Sequence, residues 1–195
     1  MAPSLEHIAR ILYDEETIQN RVTILARQIN EDYKGKELII LTVMKGGDNF
    51  STNIRRAMYR EAVMKYGDIV VDVIPDIAII SLFNDPRNPQ SEPHTILGID
   101  HKIPYEERDV LIVEDIIDRG ITMKYILAEV QKRNPSSLKL CALLSKEAKR
   151  EVNIEISYLG FNVEDAFVIG YGMDFNHRYR DLPFIGVLKP EIYQK

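Results

Sequence analysis

Apolar and polar positions alternate along the chain in two periods. In DEETIQNRVTILARQINEDYKG, beginning at Asp14, Ile18, Val22, Leu25 and Ile29 recur at helical spacing. Asp14 is placed to cap that helix and Gly35 to stop it. ELIILTVM (37–44) is apolar on both faces, as a strand covered on both sides must be. After KGGD, an amphipathic run from Phe50 to about Tyr66 predicts a second helix. VVDVIPDIAII (70–80) reads as a strand, with Pro75 marking an edge or a bend. The proline-rich run FNDPRNPQSEPH, within 81–94, holds no regular element and is expected to be a lid. VLIV (110–113) is a second buried strand. Met123, Ile126, Leu127 and Val130 predict a helix after Gly120. SLKLCALLS (137–145) is a third buried strand, and DAFVIGYG is expected to be another. Strands alternating with helices predict an α/β fold with a mostly parallel, twisted sheet flanked by helices. Residues 1–13 and 171–195 fall outside the alternation. They are expected to form a small lobe on a core of about 14–170, all within one domain of 195 residues.

Composition narrows the function. With 45% hydrophobic and 28% charged residues the chain reads as a soluble globular protein. A net charge of −5, from 25 basic and 30 acidic side chains, argues against nucleic-acid binding by bulk electrostatics. The single Cys141, inside LCALL, excludes an intrachain disulfide and a multi-cysteine zinc site; it reads as a small buried hydrophobe. No apolar run approaches membrane-span length and MAPSLEHIAR has no signal-like apolar core, so the expected location is cytoplasmic, with no membrane partner.

The chemistry concentrates in VLIVEDIIDRGIT (110–122), where a buried strand runs into Glu114, Asp115 and Asp118. Acids at a helix entry favour the helix dipole, which accounts for one carboxylate better than for three. In parallel sheets ligands bind beyond the carboxyl ends of the strands, and a glycine turn opening a helix is an anion cradle. A phosphate fits at Arg119, Gly120, Ile121 and Thr122. A sugar phosphate with free hydroxyls and a magnesium ion would satisfy Glu114 and Asp115. Neither G-x-x-x-x-G-K-[ST] nor G-x-G-x-x-G after a strand is present, which disfavours P-loop and Rossmann chemistry.

VLIVEDIIDRGIT resembles the phosphoribosyl pyrophosphate loop of type I phosphoribosyltransferases, and its EDIID form is closest to the hypoxanthine-guanine members. VMKGG (43–47) resembles the family's pyrophosphate loop, with a cis peptide before Lys45. LLSK (143–146) resembles the strand end whose lysine reads a purine carbonyl. DAFVIGYGMDFNHRYRDLPFIGVL (165–188) resembles the base-stacking and magnesium segment. The likeness runs from about Ile8 to Leu188, in the family's order. It implies transfer of a 5-phosphoribosyl group from phosphoribosyl pyrophosphate to a 6-oxopurine, with Mg2+ as cofactor, in a homodimer or homotetramer. It further implies that Glu114 and Asp115 hold the ribose hydroxyls and that 118–122 hold the 5′-phosphate. Asp118 would be the catalytic base or acid at N7. Lys45, Gly46 and Arg180 would bind pyrophosphate, and Lys146, Phe167, Val168 and Asp174 the purine. Glu114, Asp115 and Asp174 would face the metal, and Ser81 and Leu82 would begin the lid.

Away from the resemblance these residues have plainer readings. Lys45 is a loop lysine, Lys146 lies in the charged SKEAKR, Phe167 suits a core, and Arg180 has Asp181 beside it. His7, His94, His101 and His177 show no metal-ligand spacing. The chain also departs from the family. Arg119 replaces a small hydroxyl residue, Ile121 a position that is often basic, and Leu82 a tyrosine. Arg119 either contacts the 5′-phosphate or turns outward, leaving backbone donors. Two other functions stay open: a transferase for xanthine or another base, and a ligand-sensing regulator on the same fold.

Overall fold

The computed structural model describes residues 3–81, 95–97, 99 and 102–194. Strand β1 (Ile8–Tyr13) leads into helix α1 (Glu15–Asp32), which Asp14 caps by accepting a hydrogen bond from the Thr17 N–H at 2.8 Å. Ile18, Val22, Leu25 and Ile29 form its buried face, as their spacing predicts. Gly35 takes a left-handed turn, φ +75°, just past the helix and starts the return into β2 (Glu37–Met44). Helix α2 (Asp48–Tyr66) buries Phe50, Ile54, Ala57 and Met58.

β2 sits between β3 (Asp72–Ser81) and β5 (Asp109–Ile117), parallel to both. Beyond β5 lie β6 (Ser137–Ser145) and β7 (Tyr158–Asn162), also parallel, and β4 (Thr95–Leu97) pairs antiparallel with the end of β3. The six-strand order is β4-β3-β2-β5-β6-β7. Pro75 lies opposite Ile40 of β2, while β4 reaches only as far as Ile79, so among the described residues no strand pairs with the outer side of β3 at Pro75.

Successive strand residues face opposite sides, and both sides are covered. Leu38, Ile40, Leu111, Val113, Cys141 and Leu143 pack with α1 and α2. Ile39, Leu41, Val110, Ile112, Leu140 and Ala142 pack with Met123, Ile126 and Val130 of helix α3 (Ile121–Gln131). Burial of these runs on both faces is the reason they read as unbroken apolar stretches.

DAFVIGYG does not join this sheet. Only Val168–Ile169 is extended, as β8, and it pairs antiparallel with β9 (Ile185–Leu188), which pairs with β1. The resulting three-stranded sheet, β1-β9-β8, combines the two terminal segments with β8. The fifth parallel strand is instead β7. It alternates buried and half-buried residues at the sheet edge, and no α-helix precedes it, so the strand–helix alternation conceals it. A short helix α4 (Pro190–Tyr193) follows β9. No helix among the described residues is long and apolar enough to cross a membrane.

Candidate active site

The carboxyl ends of β5 and β6 and the loops after them meet the 165–174 segment and the C-terminal Tyr193–Gln194 around a cavity of about 660 Å³. Asp115, Ile116, Asp118, Lys146, Phe167, Val168 and Asp174 line it together with Lys149, Asp165, Met173 and Tyr193.

Lys146 is buried at the end of β6, and its Nζ donates to Asp118 Oδ2 at 3.1 Å. Asp118 Oδ1 is buried and has no hydrogen-bond partner among the described residues. An unpaired buried acceptor costs about 1–3 kcal/mol, and a ligand that donates a hydrogen bond there would remove that cost. The plain reading of Lys146 as a solvated lysine is therefore replaced by a buried cation facing the cavity.

Glu114 is half-buried as a residue, yet protein surrounds its carboxyl. Burial first, then the neighbouring Asp115 carboxylate, holds that carboxyl well above the usual range. The backbone N–H of Asp115 donates to Glu114 Oε1 at 3.2 Å, and that of Ile116 to Asp115 Oδ1 at 2.8 Å. No group of three or more His, Cys, Asp or Glu side chains that would cage a metal occurs among the described residues. Among the described residues neither of the adjacent Glu114 and Asp115 carboxylates pairs with a lysine or arginine, and such a pair suits magnesium, which takes one or two carboxylates and completes its shell with substrate oxygens and water. Asp174 is less free. Its Oδ1 pairs with Arg180 Nη2 at 2.6 Å and its Oδ2 accepts from the His177 N–H at 2.7 Å. Arg180 thus pairs with Asp174, not with its neighbour Asp181, and also donates to the Gly172 carbonyl.

The pyrophosphate-type loop follows β2, and the Met44–Lys45 peptide is cis, as the family resemblance implies. The Lys45 side chain is exposed and makes no ion pair or hydrogen bond with another described residue. Gly46 is wedged between two partners. A Cβ on it would lie 1.9 Å from Asp115 Oδ2, while its carbonyl oxygen would lie 2.1 Å from a Cβ on Gly172, at φ +106°. Glycine at both positions lets three segments converge.

At the phosphate-type loop, Gly120 is left-handed at φ +87° and supplies no side-chain cap to α3. Ile121 and Thr122 lie in the first turn of α3, where helix N–H groups have no intrahelical partner and where the sequence predicts anion donors; the Ile121 side chain is exposed and Thr122 half-buried. Arg119 does not project toward an open loop. Its Nη2 donates to Glu151 Oε2 at 2.8 Å and its Nε to the other oxygen of the same carboxylate.

Phe167 is half-buried. Its ring stacks on Tyr193, with centroids 4.9 Å apart, and meets Phe175 edge-on. Val168 is buried beside it. Leu82 and the chain to 94 lie outside the described residues, and Ser81 is described only as the last residue of β3. Sequence reasoning missed Lys149, Asp165, Met173 and Tyr193, of which Lys149 and Asp165 pair at 2.7 Å. Tyr193 sits in a short polar tail with no pattern to single it out. Ile116 was visible between the acids of EDIID, but only its place in the fold turns it toward the cavity.

Three comparisons bear on this arrangement. A model of the phosphoribosyl transferase domain matches residues 9–176. The hypoxanthine-guanine-xanthine phosphoribosyltransferase of Tritrichomonas foetus is 36% identical over 192 residues, covering 98% of this chain and 97% of that protein. The hypoxanthine-guanine phosphoribosyltransferase of Mycobacterium tuberculosis is 36% identical over 193 residues, covering 96% and 89%. Among solved structures, a hypoxanthine phosphoribosyltransferase from Staphylococcus aureus superposes with a TM-score of 0.83 at 32% identity over 100% of both chains. One from Trypanosoma cruzi, solved to address the role of its C-terminal region in oligomeric state and activity, gives 0.85 at 32% identity over 99% of this chain and 97% of the other.

Proposed function

The chain belongs to the phosphoribosyl transferase domain family, and from that premise we propose that it salvages purines. It would move the 5-phosphoribosyl group of phosphoribosyl pyrophosphate to N9 of hypoxanthine or guanine, releasing pyrophosphate. The observation that carries this reading is the Lys146–Asp118 pair on the cavity wall, with Asp118 Oδ1 buried and without a hydrogen-bond partner among the described residues. A 6-oxopurine carries its carbonyl oxygen and N7 side by side on one edge. Lys146 would donate to the carbonyl oxygen while Asp118 takes the N7 proton. Adenine offers an amino group to the same lysine and would leave a buried ammonium without an acceptor. Phe167 supplies an aromatic face for stacking.

The bond from the anomeric carbon to pyrophosphate breaks ahead of the new bond from N9, so positive charge builds on the ribose. Glu114 and Asp115 would hold the sugar hydroxyls through this change. The backbone donors of 119–122 and the Thr122 hydroxyl would anchor the 5′-phosphate, so that remote binding energy orients the reacting carbon. Lys45 and Arg180 would neutralise the departing pyrophosphate. As N9 attacks, the N7 proton passes to Asp118, which relieves the positive charge building on the purine, while Lys146 holds the ring through its carbonyl oxygen. Magnesium, held by Glu114 and Asp115 with Asp174 nearby, would supply further neutralisation of the donor's phosphates. A homodimer or homotetramer accompanies this reading. Exposed Tyr59, Val63 and Met64 on α2 offer apolar surface to a second copy, and light scattering measures the state directly.

Turnover of phosphoribosyl pyrophosphate and magnesium against hypoxanthine, guanine, xanthine, adenine, uracil and orotate tests the proposal, with nucleotide read by chromatography. Product with hypoxanthine or guanine and none with adenine is expected. Product with xanthine would widen the specificity to that base. No product with any base, from folded protein that binds the donor, would overturn transfer in favour of a sensor.

A further inference from the structure

We propose that Glu151 is a positioning residue for the 5′-phosphate loop and acts through Arg119, an inference that rests on the phosphoribosyl-transfer reading above. The segment after β6 is tied to the loop after β5 at consecutive residues. The Arg150 guanidinium donates to the Ile117 carbonyl at 3.3 Å and to Ser145 Oγ at 2.7 Å. The N–H groups of Glu151 and Val152 both donate to the Arg119 carbonyl, at 3.0 and 3.3 Å. The Lys146 N–H reaches the Ile117 carbonyl at 3.0 Å. Packing is equally close: a Cβ on Gly120 would meet Arg150 Cδ, Ile154 Cγ1 and the Val152 carbonyl oxygen, each at 3.1 Å.

The Arg119–Glu151 side-chain pair closes this splint with two charge-assisted bonds in fork geometry. Both side chains are about half exposed, at 57% and 50%, so solvent screens their attraction. The contribution lies in geometry: the pair pins the residue directly ahead of the left-handed glycine whose following N–H groups face the phosphate. Arg119 is thereby a strut, and the phosphate charge is met by backbone donors, Thr122 and the helix terminus. The same splint joins the loop to Lys146, so the phosphate end and the base end of the site share one brace.

Three proteins decide the matter: wild type, Glu151→Gln, and the charge-swapped Arg119→Glu/Glu151→Arg. The KM for phosphoribosyl pyrophosphate in Glu151→Gln is expected to rise about fivefold, the scale of one exposed pair. Both kcat and the KM for hypoxanthine should stay within about twofold of wild type. The swapped protein should return the donor KM to near the wild-type value. A donor KM in Glu151→Gln equal to or below wild type, with the swapped protein worse than Glu151→Gln, would make Arg119 a direct phosphate ligand and overturn the proposal. An equal loss in kcat and both KM values, tracking a fall in Tm, would reduce the pair to a structural contact and overturn it too. Calorimetric binding of ribose 5-phosphate to the same proteins separates the two levels of inference. If wild type turns over no base, the transfer reading fails, while the affinity ranking for ribose 5-phosphate still decides the role of Glu151.

Discussion

Lys146 Nζ stands 3.1 Å from Asp118 Oδ2, although 28 residues of chain separate the two. The strand ends of β5 and β6 bring them together, since Ile117 pairs with Ser145 in the parallel ladder. A buried ammonium is tolerated only beside an opposite charge. The pair therefore gives the Lys146 side chain an opposite charge at 3.1 Å and aims it at the same side of the cavity as the carboxylate.

Asp118→Asn should keep the fold and donor affinity but lose at least about 10²-fold in turnover, because an amide cannot take the N7 proton. Steady-state kinetics with hypoxanthine, alongside calorimetry of donor binding, checks this. Unchanged turnover would remove Asp118 from the reaction.

Lys146→Met preserves the length and apolar stem of the side chain while deleting its charge. The kcat/KM for hypoxanthine should fall roughly 10- to 100-fold, the range for losing one charged hydrogen bond. The KM for phosphoribosyl pyrophosphate should change far less. A loss of donor affinity instead would move Lys146 to the phosphate end of the site.

Gly46→Ala puts a methyl 1.9 Å from Asp115 Oδ2. Overpacking of this kind costs about 1–3 kcal/mol, to be read as a lower urea midpoint with an unchanged m-value. Activity should drop with it, since the displaced group is the carboxylate proposed to hold the ribose hydroxyls. An alanine variant of full activity would show that Asp115 can move without consequence.

The Asp32 carboxyl, at the end of α1, accepts from the Tyr158 hydroxyl at 2.5 Å and from Lys139 at 3.1 Å. The Tyr158 hydrogen bond first, and Lys139 with it, holds the carboxyl below the usual range against the opposing effect of partial burial. The native state then binds fewer protons than the unfolded chain, so this stabilisation is present above the unfolded-state pKa and disappears as pH falls through the lower native value. Asp32→Asn should lower the urea midpoint at neutral pH, with the gap to wild type closing below the ordinary carboxylate range. A gap that is constant with pH would assign the effect to packing.

Cys141 is fully buried, and desolvation pushes its thiol well above the ordinary value. Native protein should give no reaction with a thiol reagent at neutral pH, and one equivalent once unfolded in guanidinium. Rapid labelling of native protein would contradict the packing of β6.

Legibility in the sequence followed the range of the interactions. Asp14 as a cap, the apolar face of α1 and the double-faced apolar runs of β2, β5 and β6 are local or periodic, and they appear in the chain as written. β7 was missed because no α-helix separates it from β6, and its closeness to β6 depends on Gly160, where a Cβ would lie 2.2 Å from the Leu143 carbonyl oxygen. β8 was read into the wrong sheet because two extended residues look alike whichever neighbour they pair with. The acids and the glycine of 114–120 announced a site by their chemistry. That Arg119 is held by Glu151, or Asp174 by Arg180, required the fold to bring distant segments within reach.

The backbone contact between Gly46 and Gly172 has a mechanical consequence. The loop after β2 and the turn following β8 touch with no side chain between them, so there is no cushion of rotamers to absorb a displacement. A movement that presses the three-stranded sheet toward the loop after β2 is therefore met at this point by backbone against backbone, with no side chain to yield by changing rotamer.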